Sequence, residues 1–117
     1  MLSLLRFTNK GIFCPQGNFY IDPWQPVDYA VITHGHGDHA RWGSKHYLAH
    51  DASRPVLQTR LGMDISIDTM PYGETKTIGN VKVSLHPAGH IIGSSQIRLE
   101  HNGFVSVVSG DYKTADD

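Results

Sequence analysis

The segment Tyr29–Thr33, YAVIT, is almost continuously apolar and runs without a break into HGHGDHARWG. A strand that alternates polar and apolar residues buries one face, whereas a continuously apolar strand is buried on both. Residues 29–33 therefore predict a strand inside a sheet that is covered on both sides. The polar cluster begins where this strand ends, the place where a rigid scaffold hands the chain to a functional loop.

The rest of the sequence reads as short β segments separated by turns. LSLLRFT, KGIFC and NFYID precede the buried strand, and the last of these closes on a turn containing Pro23 and Pro26. HARWG suits a helical turn and HYLAH a short strand. SRPVLQTRLGM predicts a helix with Ser53 as N-cap, Pro55 in its first turn, Leu57, Leu61 and Val56 facing inward, and Gly62 at its end. ISIDTM, ETKTIG, VKVSLHPA, SSQIRLE and FVSVVSGD return to β structure. Val81, Val83 and Leu85 share one face, and HNG before FVSVV predicts a hairpin turn. The pattern is α/β in the α+β sense: mostly sheet, with one or two short helices packed on it.

Four metal-donor side chains, His34, His36, Asp38 and His39, fall within six residues, and Gly35 and Gly37 let the backbone curl between them. Imidazole and carboxylate are the usual zinc donors where cysteine is scarce. The bland alternative is a solvated histidine loop with Asp38 capping a helix. His90, in HPAGHIIGSS, is a further nitrogen donor or a structural histidine; His86, ahead of Pro87, suits a structural role. Asp111 ends the apolar run VSVVSGD, and a carboxylate at the end of a buried strand needs a partner. A metal ion would serve; so would a plain turn. Asp22 ends NFYID in the same manner, either as a turn residue or as a hydrogen-bonding support that orients the histidine loop.

Composition narrows the function classes. Net charge is −1, with ten Lys and Arg scattered among eleven Asp and Glu, so no basic footprint marks a stand-alone nucleic-acid binder. The single cysteine, Cys14, excludes an internal disulfide and fits a reducing compartment. No apolar run approaches a membrane span, and the start MLSLLRFTNKG lacks the pattern of a cleaved signal. A cytoplasmic protein without membrane contact is expected.

The order Asp22, His34-x-His36-x-Asp38-His39, His90, Asp111 resembles the first four motifs of the metallo-β-lactamase superfamily. PAGHIIGSSQIRLE followed by VVSGDYK is most similar to the β-CASP nucleases within it. LLRFTNKGIFCPQGNFYIDPWQPVDYAVITHGHGDHARWG resembles, more narrowly, bacterial ligase-associated DNA exonucleases, also described as mRNA 3′-end processing-like proteins. The resemblance implies the N-terminal half of an αββα sandwich. It implies that His34, His36 and His90 hold one zinc, that Asp38 and His39 hold a second, and that Asp111 bridges them. It further implies that a hydroxide activated by the two ions attacks phosphorus, with Asp38 guiding its proton. Zinc is the expected metal, manganese or iron the alternatives. Nucleic acid, DNA before RNA, is the implied substrate, and an ATP-dependent DNA ligase an implied partner.

The same resemblance marks a departure. The chain runs only six residues past Asp111, so residues 1–117 are expected to be an incomplete N-terminal part of a metallo-β-lactamase domain. The C-terminal half, its late histidine and the β-CASP insertion are not within them. Such a half is expected to be inactive alone, to leave apolar sheet surface open and to present an unpaired edge. Two other functions fit the sequence: a hydrolase of a small thioester, lactam or lactone, and a metal-binding module completed by a separate chain.

Overall fold

The structure, a computed structural model, describes residues 4–33, 43–88, 95–109 and 114–116. Two sheets form from these residues. The first contains β1 (Arg6–Thr8), β2 (Gly11–Cys14), β3 (Phe19–Ile21), β4 (Tyr29–Val31), β5 (His46–His50) and β6 (Ile67–Met70), side by side in chain order. Pairing is antiparallel from β1 to β3 and parallel from β3 to β6. The second is an antiparallel meander of β7 (Thr75–Ile78), β8 (Val81–Pro87), β9 (Ser95–His101), β10 (Phe104–Val108) and β11 (Thr114–Asp116).

The strand alternation explains why the two sheets face each other. Val81, Val83 and Leu85 of β8 and Ile97 and Leu99 of β9 point one way, and Ile12, Cys14, Phe19, Ile21, Val31 and Leu48 of the first sheet meet them in one core. The opposite face of the first sheet presents Ala30, Ile32, Tyr47 and Ala49 to Leu57 and Leu61 of helix α1 (Arg54–Leu61). Thus β4 is apolar at successive positions because helix covers one side of it and sheet the other.

Several details depart from the sequence expectations. The first strand is confined to Arg6–Thr8, while Leu4 and Leu5 bury into the inter-sheet core ahead of it. Ser53 precedes α1 but makes no side-chain capping bond, because a 3-10 turn over Asp51–Ser53 already feeds the helix in helical geometry. His50 Nδ1 caps that turn by accepting from the Ala52 amide at 3.1 Å. The HARWG turn lies outside the described residues, apart from Gly43. Gly62 ends α1 as expected, and the HNG hairpin forms with Asn102 and Gly103 both at positive φ, the geometry that suits a two-residue hairpin turn.

Among the described residues, the apolar faces between the two sheets are covered. The chain supplies both, so each covers the other. The outer face of the second sheet carries polar side chains, Lys82, Ser84, Gln96, Arg98 and Glu100, with half-buried Val105 and Val107. Among the described residues the exposed large apolar side chains are Phe7, Trp24, Met63 and Phe104. No helix among them is long and apolar enough to cross a membrane.

Candidate metal centre

The parallel strands β3, β4 and β5 all finish at one end of the first sheet, the end at which open α/β sheets place ligands. Asp22 follows β3 there. Its amide donates to the Val31 carbonyl at 3.0 Å, and its φ of 46° turns the chain sharply away. Left-handed backbone is unfavourable for most side chains, with Asp and Asn the best tolerated after glycine. The Asp22 carboxylate is buried, and Thr33 satisfies both its oxygens. The Thr33 amide donates to Oδ1 at 2.8 Å, and its hydroxyl donates to Oδ2 at 2.6 Å. The ionised acceptor makes these hydrogen bonds short and strong.

Thr33 is held from the other side as well: its carbonyl accepts the Ser95 amide at 2.7 Å. Ser95 opens β9, opposite Pro87 at the end of β8, and two residues further on Ile97 pairs with Val108 at the end of β10. Thr33 immediately precedes His34, Ser95 follows the segment 89–94 that contains His90, and Val108 stands three residues before Asp111. One short chain of hydrogen bonds and strand pairs therefore joins the flanks of all three donor-bearing segments, across both sheets.

The predicted ligands His34, His36, Asp38, His39, His90 and Asp111 themselves lie outside the described residues. Among the described residues no group of three or more His, Cys, Asp or Glu side chains is placed to hold a metal ion. Asp22 is the one predicted site residue within the described set. His86, read as structural, shares a 2.9 Å hydrogen bond with Ser84 Oγ on the outer face of β8. Thr33 and Ser95 were not singled out from sequence. Their roles depend on a side chain eleven residues away and on a bond between two sheets, and no local motif encodes either.

At the opposite end, where β5 and β6 begin, a second polar cluster links the sheets. Asp68 of β6 accepts from Lys76 Nζ of β7 at 2.8 Å and shares a 3.0 Å contact with His46 Nε2, while His46 Nδ1 meets Ser66 Oγ at 2.6 Å. The Lys76 hydrogen bond, followed by that of His46, holds the Asp68 carboxyl below the usual carboxylate range.

No family model matches the sequence. The chain is 31% identical over 107 residues to a probable DNA ligase of Opitutus terrae, which is 90% of this chain and 10% of that protein. It is 31% identical over 51 residues to the endoribonuclease ysh-1 of Neurospora crassa, 44% of this chain and 6% of that protein. The chain thus spans a tenth or less of the length of these curated relatives. Among solved structures, a HARLDQ-motif mutant of a metallo-beta-lactamase from Cronobacter sakazakii superposes with a TM-score of 0.59 at 17% identity, over 83% of this chain and 54% of that one. The flavodiiron protein from Giardia intestinalis superposes with a TM-score of 0.56 at 14% identity, over 75% and 29%. At such identities the likeness is one of fold.

Proposed function

We propose that this chain, similar to β-CASP endoribonucleases and sharing the metallo-β-lactamase fold, carries the metal-binding end of a hydrolase that cuts phosphodiester bonds in nucleic acid. The observation that carries this reading is the Thr33–Ser95 hydrogen bond, which ties the residue before His34 to the residue after the segment holding His90. DNA is favoured over RNA as substrate, because similarity to the probable DNA ligase extends over 90% of the chain and similarity to the endoribonuclease over 44%. For the same reason the inferred role is processing of DNA ends by an exonuclease, with a DNA ligase as partner.

The donor set suits divalent metal. Four imidazoles, of His34, His36, His39 and His90, and two carboxylates, of Asp38 and Asp111, are the nitrogen and oxygen ligands that zinc takes, and manganese or iron accept them too. Ser95 adds to the fit: its hydroxyl is buried at this end with no hydrogen-bond partner among the described residues, and such a group calls for a polar neighbour. In this reading His34, His36, Asp38, His39, His90 and Asp111 are the residues that would hold the metal. Divalent metal, when bound, supplies Lewis-acid stabilisation of phosphate charge and a more acidic water. The chain's own part is positional. Asp22 fixes Thr33, Thr33 fixes the start of the histidine segment, and the Ser95 amide fixes Thr33 against the second sheet. Asp38 would also guide the proton of the nucleophile.

The test is metal content and nuclease activity of the protein expressed from its complete reading frame. His36→Ala is expected to lower bound zinc and to cut activity by more than the roughly 100-fold that loss of a supporting group costs. Undiminished activity with full metal content would sink the assignment. Hydrolysis of a thioester, lactam or lactone with no action on DNA would instead favour small-molecule chemistry, for which the Cronobacter structure offers a likeness of fold alone.

A further inference from the structure

The outer face of the first sheet is only partly covered by α1. In register, Arg6, Phe13, Tyr20, Ala30, Tyr47 and Ile67 form one row across the six strands. Helix α1 and its cluster account for Ala30 through Ile67, with Tyr20 at the margin. Phe13 lies beyond that margin. The two rings pack at 4.6 Å between centroids, tilted by 37°, and both remain half-exposed. They line a cleft of about 280 Å³ that also takes in Lys10 and Lys45.

The charges around the ring pair are unbalanced. Lys10 and Lys45 line the cleft and exposed Arg6 stands beside Phe13, against one carboxylate among the described lining residues, Asp28, which Lys45 contacts at 3.4 Å. The ammonium group of Lys10 makes no ion pair among the described residues. A half-exposed aromatic pair flanked by cations is the arrangement that binds single strands without sequence preference: bases stack on rings, and phosphates follow the positive charge. The cleft runs from the start of β4 and β5, where Val27, Asp28 and Lys45 line it, toward the donor end, where the Lys10 carbonyl accepts the Trp24 amide at 2.9 Å, two residues from Asp22.

Resting on the nucleic-acid reading above, we propose that this cleft is a subsite for a single-stranded stretch of the substrate, with a base stacked on Phe13 and Tyr20 and the adjoining phosphates drawn to Lys10 and Lys45. It is a binding element separate from the metal donors. Its occupancy therefore needs no metal, and binding can be read apart from hydrolysis.

Fluorescence anisotropy of 5′-labelled oligo-dT and oligo-U eight-mers, titrated in chelator against the protein expressed from its complete reading frame, tests this. Both should bind more tightly than a blunt duplex, and a preference between them identifies the polymer. Lys10→Glu changes an exposed turn residue and leaves the core alone. Each lysine removed should lower the slope of log affinity against log salt by about 0.7. Phe13→Leu keeps the apolar volume and removes the stacking surface; it should weaken binding about fivefold or more. Absence of oligonucleotide binding, or wild-type affinity and salt slope in both variants, overturns the subsite. Binding that is lost in these variants while the full-frame protein hydrolyses no nucleic acid upholds the cleft and removes the catalytic reading instead.

Discussion

Asp22 shows how much one side chain can decide. It sits in left-handed backbone, is buried, and gives both oxygens to a threonine eleven residues later. Asn tolerates that backbone and keeps one acceptor, whereas Ala tolerates neither demand and leaves the Thr33 amide buried without this partner. Asp22→Ala is therefore expected to cost about 1–3 kcal/mol in urea unfolding, and Asp22→Asn less. Both should weaken metal binding, by about 10–100-fold if Asp22 orients the donor segment as proposed. Competition with a chromophoric chelator reads this, and unchanged affinity in both variants would leave Asp22 as a turn residue and no more. The Asp22–Thr33 pair also marks a limit of legibility. Asp22 could be picked out from its place at the end of NFYID, but Thr33 looked like the last residue of an apolar strand. Its partner becomes visible only once β3 and β4 lie parallel.

At the level of strands and helix, alternation carried most of the information. Val81, Val83 and Leu85 announced an inward face, and Leu57 and Leu61 announced the side of α1 that meets the sheet. What alternation could not convey is register across several strands. The row from Arg6 through Phe13 to Tyr20 exists only because three strands align, and so the aromatic cleft had no local signature. The edge strands β6 and β7 raise a separate point. Asp68 on one and Lys76 on the other join the two sheets, and the bonds that Lys76 and His46 make to Asp68 depress its pKa. A carboxyl with a lower pKa in the folded state adds stability above its unfolded value, near 4, and loses it as pH falls through the folded value. Asp68→Asn should therefore flatten the loss of stability between pH 5 and pH 2, measured by urea midpoints. The effect is small because the side chain is half-exposed. A steeper acid limb in the variant would contradict the sign.

The described residues form three layers: helix, mixed sheet and antiparallel sheet. Leu48 and Leu57 occupy the two interfaces, each fully buried, in separate clusters. Truncating either to Ala should cost about 2–5 kcal/mol. The double variant should approach the sum, since the two side chains lie on opposite faces of the first sheet. A strongly sub-additive result would mean that the layers do not fold as independent contacts. The two ends of the sandwich are fastened by different means. At the donor end the fastening is a main-chain bond, Thr33 to Ser95, indifferent to protonation; at the far corner it is a pair of charged side chains that acid and salt both weaken. The sandwich behaves like a bound book. Acid strong enough to protonate Asp68, below the usual carboxylate range, loosens the fore-edge, while the main-chain bond of the spine has no charge to lose.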